Sequence, residues 1–242
     1  DLIRSRGLGD VYKRQVPVSA SSAAESTVSS VEETASSAVD ENEAAAAQLL
    51  NDLTGSYQEL WPVILADEYK QTWLDDCTAL VGEDNAEAAF EKLSSMVTGD
   101  VYGEDAVKAY ANGGGAYFCG FTNSLAILTF DGETSTISGT DKDGNVLFSH
   151  TYHYIGMEPV RGLYEFQSDD ADSGEFTYFF LAPDTSAETY HIEFRYGSDA
   201  EALSQYDTGE YAYWLASGIS TDCDQTMIDN CIELFCTENL AG

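Results

Sequence analysis

The chain has 242 residues, and its 43 acidic against 10 basic side chains give a formal net charge of −33, while an apolar share of 43% is enough to build a core. Four of the bases (Arg4, Arg6, Lys13, Arg14) and two of the acids (Asp1, Asp10) lie in the first fourteen positions, so the rest is more acidic still. Such a surface repels phosphate backbones and anionic membranes and attracts cations, which excludes nucleic acid as a partner.

Residues 1–15, "DLIRSRGLGDVYKRQ", are basic and unpatterned and fit nothing that follows; they have the character of a non-native, adaptor-derived segment. The true N-terminus, with any signal peptide or lipid-attachment cysteine, is then expected upstream. Residues 16–47 are mostly Ser, Ala, Val, Thr and Glu without a Lys or Arg. Their burial cannot offset the ordering entropy, so they are expected to form a disordered acidic linker, with an Ala-rich helix from about residue 40 as the alternative for the last turns. The folded domain is expected over 48–242.

In "LTGSYQELWPVILADEYKQTWLDDCTALV" the apolar residues Leu60, Ile64, Leu65, Tyr69, Trp73, Leu74 and Cys77 recur at helical spacing, interrupted near Pro62, which predicts two short helices or one with a break. "NAEAAFEKLSSMV" and "EDAVKAYAN" predict further helices with acidic first turns. From Ala116 the period changes to two. Strands are predicted at about 116–122, 125–130, 134–139, 145–155, 161–167, 175–182 and 188–196, separated by turn signals such as "DGE" and "DKDGN". A helix from about Asp224 to Cys236 ends the chain. The fold class is therefore mainly β with helical additions (α+β), an antiparallel barrel or sandwich with N-terminal helices and a C-terminal helix.

"DKDGN" begins like a calcium loop, but the sixth position is Val146 instead of Gly and the twelfth Tyr152 instead of Glu; between two strands, D-G predicts a hairpin. No G-x-S-x-G, H-E-x-x-H, P-loop or G-x-G-x-x-G occurs, so the chain is expected not to be an enzyme. The five cysteines include no C-x-x-C pair, and Cys231 and Cys236, five apart on one helix, are poorly placed for each other; a disulfide pairing does not follow from the sequence. No apolar run approaches the roughly 20 residues of a membrane span.

Of the three histidines, His150 and His153 are three apart on a strand and point to opposite faces. His191 shares a polar strand face with Thr189, Glu193 and Arg195, opposite an apolar face of Tyr190, Ile192, Phe194 and Tyr196. That polar face either meets solvent or lines a cavity, and His191 with Glu193 is a candidate metal-ligand pair, although zinc usually takes three protein ligands or more.

"YHIEFRYGSDAEALSQYDTGEYAYWLASGI" resembles the ZinT (YodA) family of exported zinc-binding proteins, in which an H-x-H-I-x-F strand leads into a short helix and an aromatic segment. "YHYIGMEPVRGLYEFQSDD", "EFTYFFLAPDTSAETYHIEF" and "LTGSYQELWP" resemble further stretches of that family in the same order, over roughly residues 50–238. The resemblance implies a lipocalin-like (calycin) barrel. It also implies an exported protein (extracellular, cell-surface or periplasmic, with any membrane attachment through an N-terminal lipoprotein anchor) of a bacterial kind. Its function would be to bind a divalent metal ion, zinc, in support of uptake or storage, and its partner a metal-importing ABC transporter or the transporter's binding protein. The family holds zinc through the histidine of S-D-H and both histidines of H-x-H. Here the first falls on Phe179 or Phe180 and the second on Thr189, so only His191 is carried over as a metal ligand. A barrel that has lost the metal and binds a small organic ligand or a protein is the alternative.

Overall fold

The computed structural model describes residues 41–183 and 191–241. The expectations for residues 1–40, and for Thr189 and Tyr190, lie outside the described residues.

Residues 41–52 form helix α1, the helix weighed as the alternative for the end of the Ser/Ala-rich segment. Ala46, Leu49, Leu50 and Leu53, spaced three and four apart, make one buried stripe that joins the barrel core. The stripe lies against the turn after the second strand, where a Cβ on Gly132 would stand 2.4 Å from Asn51 Cα. Strand β1 (Gly55–Glu59) follows, then α2 (Leu60–Ile64), α3 (Lys70–Val81), α4 (Glu83–Met96) and α5 (Glu104–Ala111). Pro62 sits in the first turn of α2, where its missing N–H removes no helical bond. Trp73 Nε1 donates to Ile64 O at 2.7 Å and ties α3 to α2.

The remaining strands are β2 (Ile127–Asp131), β3 (Thr136–Thr140), β4 (Val146–Met157), β5 (Tyr164–Ser168), β6 (Tyr178–Leu181), β7 (His191–Gly197) and β8 (Ala216–Ser220). Helix α6 (Ala200–Leu203) lies between β7 and β8, and α7 (Gln225–Leu240) ends the fold. All strand pairs are antiparallel and neighbours in sequence, and β1 closes the ring by pairing with β8 as well as β2. The result is a closed eight-stranded barrel with added helices, as expected for a lipocalin-like α+β fold. "DKDGN" forms the β3–β4 hairpin, in which Asp141 Oδ1 accepts from the backbone N–H groups of Asp143 and Asn145 at 2.9 Å.

Two strands and one non-strand differ from the sequence-based expectation. β1 lies where a helix is predicted, because "GSYQE" alternates over only five residues and owes its conformation to pairing with β2 and β8. β8, "ASGIS", is made of small residues of low strand propensity apart from Ile219; Gly218 lets Ile192 approach, since a Cβ there would meet Ile192 Cγ1 at 3.1 Å. The segment 116–122, predicted as a strand, makes only isolated bridges from Phe118 to Thr98 and Trp214. Its backbone groups are spent on Met96, Gly99, Tyr213, Leu215 and Ser217, so it is an extended cover outside the ring.

Two cores result. Inside the barrel the side chains are predominantly aromatic: Phe148 stacks on Phe176 with centroids 3.9 Å apart, and Phe179, Phe194 and Tyr196 continue the pile. The second core lies outside, where Ile219 of β8 meets Trp61, Trp73, Ile228 and Ile232 of the helices.

Candidate functional site

Alternation along β7 divides its side chains as expected. Ile192, Phe194 and Tyr196 enter the barrel core, which leaves His191, Glu193 and Arg195 on the outer side. The register sets His191 opposite Ile219 and Glu193 opposite Ser217. Because Ile219 belongs to the helical core, this end of the strand face borders the helical layer. His191 and Glu193 are half-buried, whereas Arg195 is 0% exposed. The face therefore neither meets open solvent along its length nor lines the barrel interior.

Each residue on that face has a different setting. Arg195 projects its guanidinium into the loop after α6 and donates to the carbonyl oxygens of Leu203, Gln205 and Tyr211. Its Cζ lies 4.4 Å from the centre of the Tyr206 ring, and Arg161 Cζ lies 4.3 Å from the same centre. Burial lowers Arg195 to about 10, still high enough to keep it charged at neutral pH. Glu193 interacts electrostatically with two buried thiols. Burial first, and then the Glu193 carboxylate, push Cys119 up to about 12. Cys231 is also raised to about 12, by burial, then Cys223, then Glu193. These sulfurs stay protonated at neutral pH.

The positions corresponding to the S-D-H histidine of the resemblance do not approach His191. Phe179 points into the barrel core, and Phe180, on the outer side of β6, pairs with Arg195. Arg195 is four residues along β7 from His191, about 13 Å away at strand rise. His150 and His153 do face opposite sides of β4. His150, packed beside Phe148, has Nδ1 2.8 Å from Asp170 Oδ2, and His153 Nδ1 is 2.6 Å from Asp169 Oδ1. Through β5 and β6, His153 comes into line with Gly197 at the far end of β7 from His191. Among the described residues, no group of three or more His, Cys, Asp or Glu is arranged to hold a metal ion. Of the candidate metal ligands named from the sequence, Glu193 alone among the described residues shares the outer face of β7 with His191.

At one end of β1, Glu59 Oε1 accepts from Phe121 N–H at 2.6 Å, and Tyr196 Oη accepts from Thr122 N–H at 2.6 Å while donating to Thr122 O at 2.9 Å. Trp214 Nε1 donates to Gly120 O at 2.9 Å. These bonds hold the 116–122 segment, and α1 packs at the opposite end of the same strand. The role of Glu59 was not legible from sequence, since its acceptor geometry depends on a segment 62 residues away.

No protein-family model matches the chain, and no curated protein matches it. Among solved structures it is similar to the Zn(II)-bound ZinT-like domain of AdcA from Streptococcus pneumoniae, at 15% identity over 76% of this chain and 89% of that one, with a TM-score of 0.48. It is also similar to Zn(II)-bound AdcA from the same organism, at 17% identity over 77% of this chain and 35% of that one, with a TM-score of 0.44. Among the described residues no helix is long and apolar enough to cross a membrane.

Proposed function

We propose that this chain is an exported, non-enzymatic protein that binds a divalent metal cation, zinc by its sequence resemblance, in support of metal uptake or storage. The observation that carries the reading is the placement of His191 and Glu193 two residues apart on one outer strand face, with Cα atoms about 7 Å apart. An imidazole and a carboxylate suit zinc, and the net charge of −33 raises the local cation concentration. Two protein donors leave the other coordination positions to water or to a partner's group, so the affinity falls well short of a three-histidine site. Open positions of this kind fit delivery to a metal-importing transporter or its binding protein.

The alternative, a small organic ligand held inside the barrel, is less well supported because stacked aromatic side chains fill the interior. Calorimetric titration with Zn²⁺ at raised ionic strength tests the proposal. One saturable site is expected, weakened at least about tenfold in His191→Ala and in Glu193→Gln. Unchanged binding in His191→Ala, or no binding beyond weak surface sites, overturns it.

A further inference from the structure

We propose that Cys77 and Cys236 form a disulfide that joins α3 to α7. Their Sγ atoms are 3.9 Å apart, both residues are fully buried, and 159 positions separate them in sequence. An S–S bond of about 2.05 Å requires closing roughly the remaining 2 Å, which rotation of two side chains and a small approach of the helices supplies. The helices are already held in register by their neighbours. Phe235, next to Cys236, meets Trp73 of α3 edge-on at 6.0 Å and Trp61 of α2 at 4.7 Å.

The other three cysteines are disposed differently. Cys119 donates to Tyr117 O at 3.8 Å in the segment that covers β8. Cys231 lies on α7 near Cys223 and Glu193. No other pair of thiols among the described residues is in hydrogen-bonding contact.

The oxidant is an external disulfide. The thiolate of one cysteine attacks it, forming a mixed disulfide and expelling one thiolate; the second cysteine then attacks the protein sulfur, closing the Cys77–Cys236 bond and expelling the other thiolate. Two protein thiols lose two protons and two electrons, and the oxidant is reduced to two thiols. Both protein thiols are buried, and burial holds each above the ordinary thiol range. The exchange therefore belongs to folding, before α7 docks, and is slow on the folded reduced protein. Once formed, the bond fixes the helical layer beside the outer face of β7 and β8.

The test refolds the full chain from the reduced, denatured state in a mixture of oxidised and reduced glutathione. Free thiols are then counted under denaturing conditions, and the digest is mapped by mass spectrometry. Five thiols are expected to fall to three, with one linked peptide pair containing Cys77 and Cys236. Reduction is expected to lower the Tm by about 5–15 °C, a shift lost in Cys77→Ala and in Cys236→Ala. Five persisting thiols, a glutathione adduct as the end product, or cross-links through Cys119, Cys223 or Cys231 overturn the proposal. The wild-type peptide map decides the matter even where a variant does not fold.

Discussion

Arg195 and His191 occupy the same face of one strand, and their surroundings give them different work. Arg195 is the fully buried cation of that face, and its fork satisfies carbonyls at three points of the chain between α6 and β8. Replacing it by Met leaves those carbonyls without a donor inside the protein and is expected to lower unfolding stability by about 3–5 kcal/mol, measured by urea denaturation. Arg195→Lys is expected to recover little, because a single ammonium cannot reproduce a planar fork that reaches Leu203 and Tyr211 together. A loss below about 1 kcal/mol in Arg195→Met would show that the loop is held by other contacts. His191 lies half-buried at the other end of the face. The strand period told which residues share a side, but not which would be sealed under a loop: that depends on residues 203–211 folding back over β7.

At the level of elements, the strands with long alternating aromatic patterns were legible. β4, "VLFSHTYHYIGM", and β7, "HIEFRYG", carry enough inward-facing side chains to specify a strand locally. β1 and β8 carry too few, and they are the two strands that complete the ring with each other. Their conformation is dictated by the exposed edges of β2 and β7, which demand partners for their backbone groups. The 116–122 segment is the converse: its alternation is genuine, but its backbone partners are scattered over the end of α4, the residues around β8 and the loops beside them, and it joins no ladder of the ring. Helix α1 depends on an equally close fit. In Gly132→Ala the added methyl would meet the Asn51 backbone, which cannot swing away as a side chain can. The expected cost is about 1–3 kcal/mol in thermal or urea unfolding, with increased hydrogen exchange confined to α1. Unaltered exchange in α1 would mean that the helix is held chiefly by its Leu stripe.

For the molecule as a whole, charge is the dominant variable. Asp76 on α3 is raised by burial and then by the carboxylates of Glu233 and Asp229 on α7 and of Asp75 beside it; Glu165 is raised by burial and then by Glu158. Both bind a proton more readily in the folded state than in the unfolded one. Their stabilising contribution is therefore complete below the ordinary carboxylate range and is lost as pH rises through the raised folded values. Asp141 has the opposite sign, lowered by hydrogen bonds from Asn145, but it lies on an exposed hairpin. The Tm is accordingly expected to rise as pH falls from about 7.5 to about 5.5, and to rise with added salt at neutral pH as repulsion within a chain of net charge −33 is screened. Calorimetry over pH and salt checks both; a Tm that falls on mild acidification would assign the controlling groups to carboxylates with lowered values.

The sequence by itself determined the mainly β character, the strands with full aromatic periodicity, the hairpin at "DKDGN", the terminal helix and the division of β7 into two faces. All of these are set by propensities and spacings within about ten residues. Only the tertiary structure decided which strands close the ring, that the polar face of β7 borders a helical layer, and that Phe180 faces Arg195 instead of His191. It also brought Cys77 to Cys236. Those relations join positions up to 159 apart, and a contact at that separation follows from the packing of whole elements, which no local pattern records.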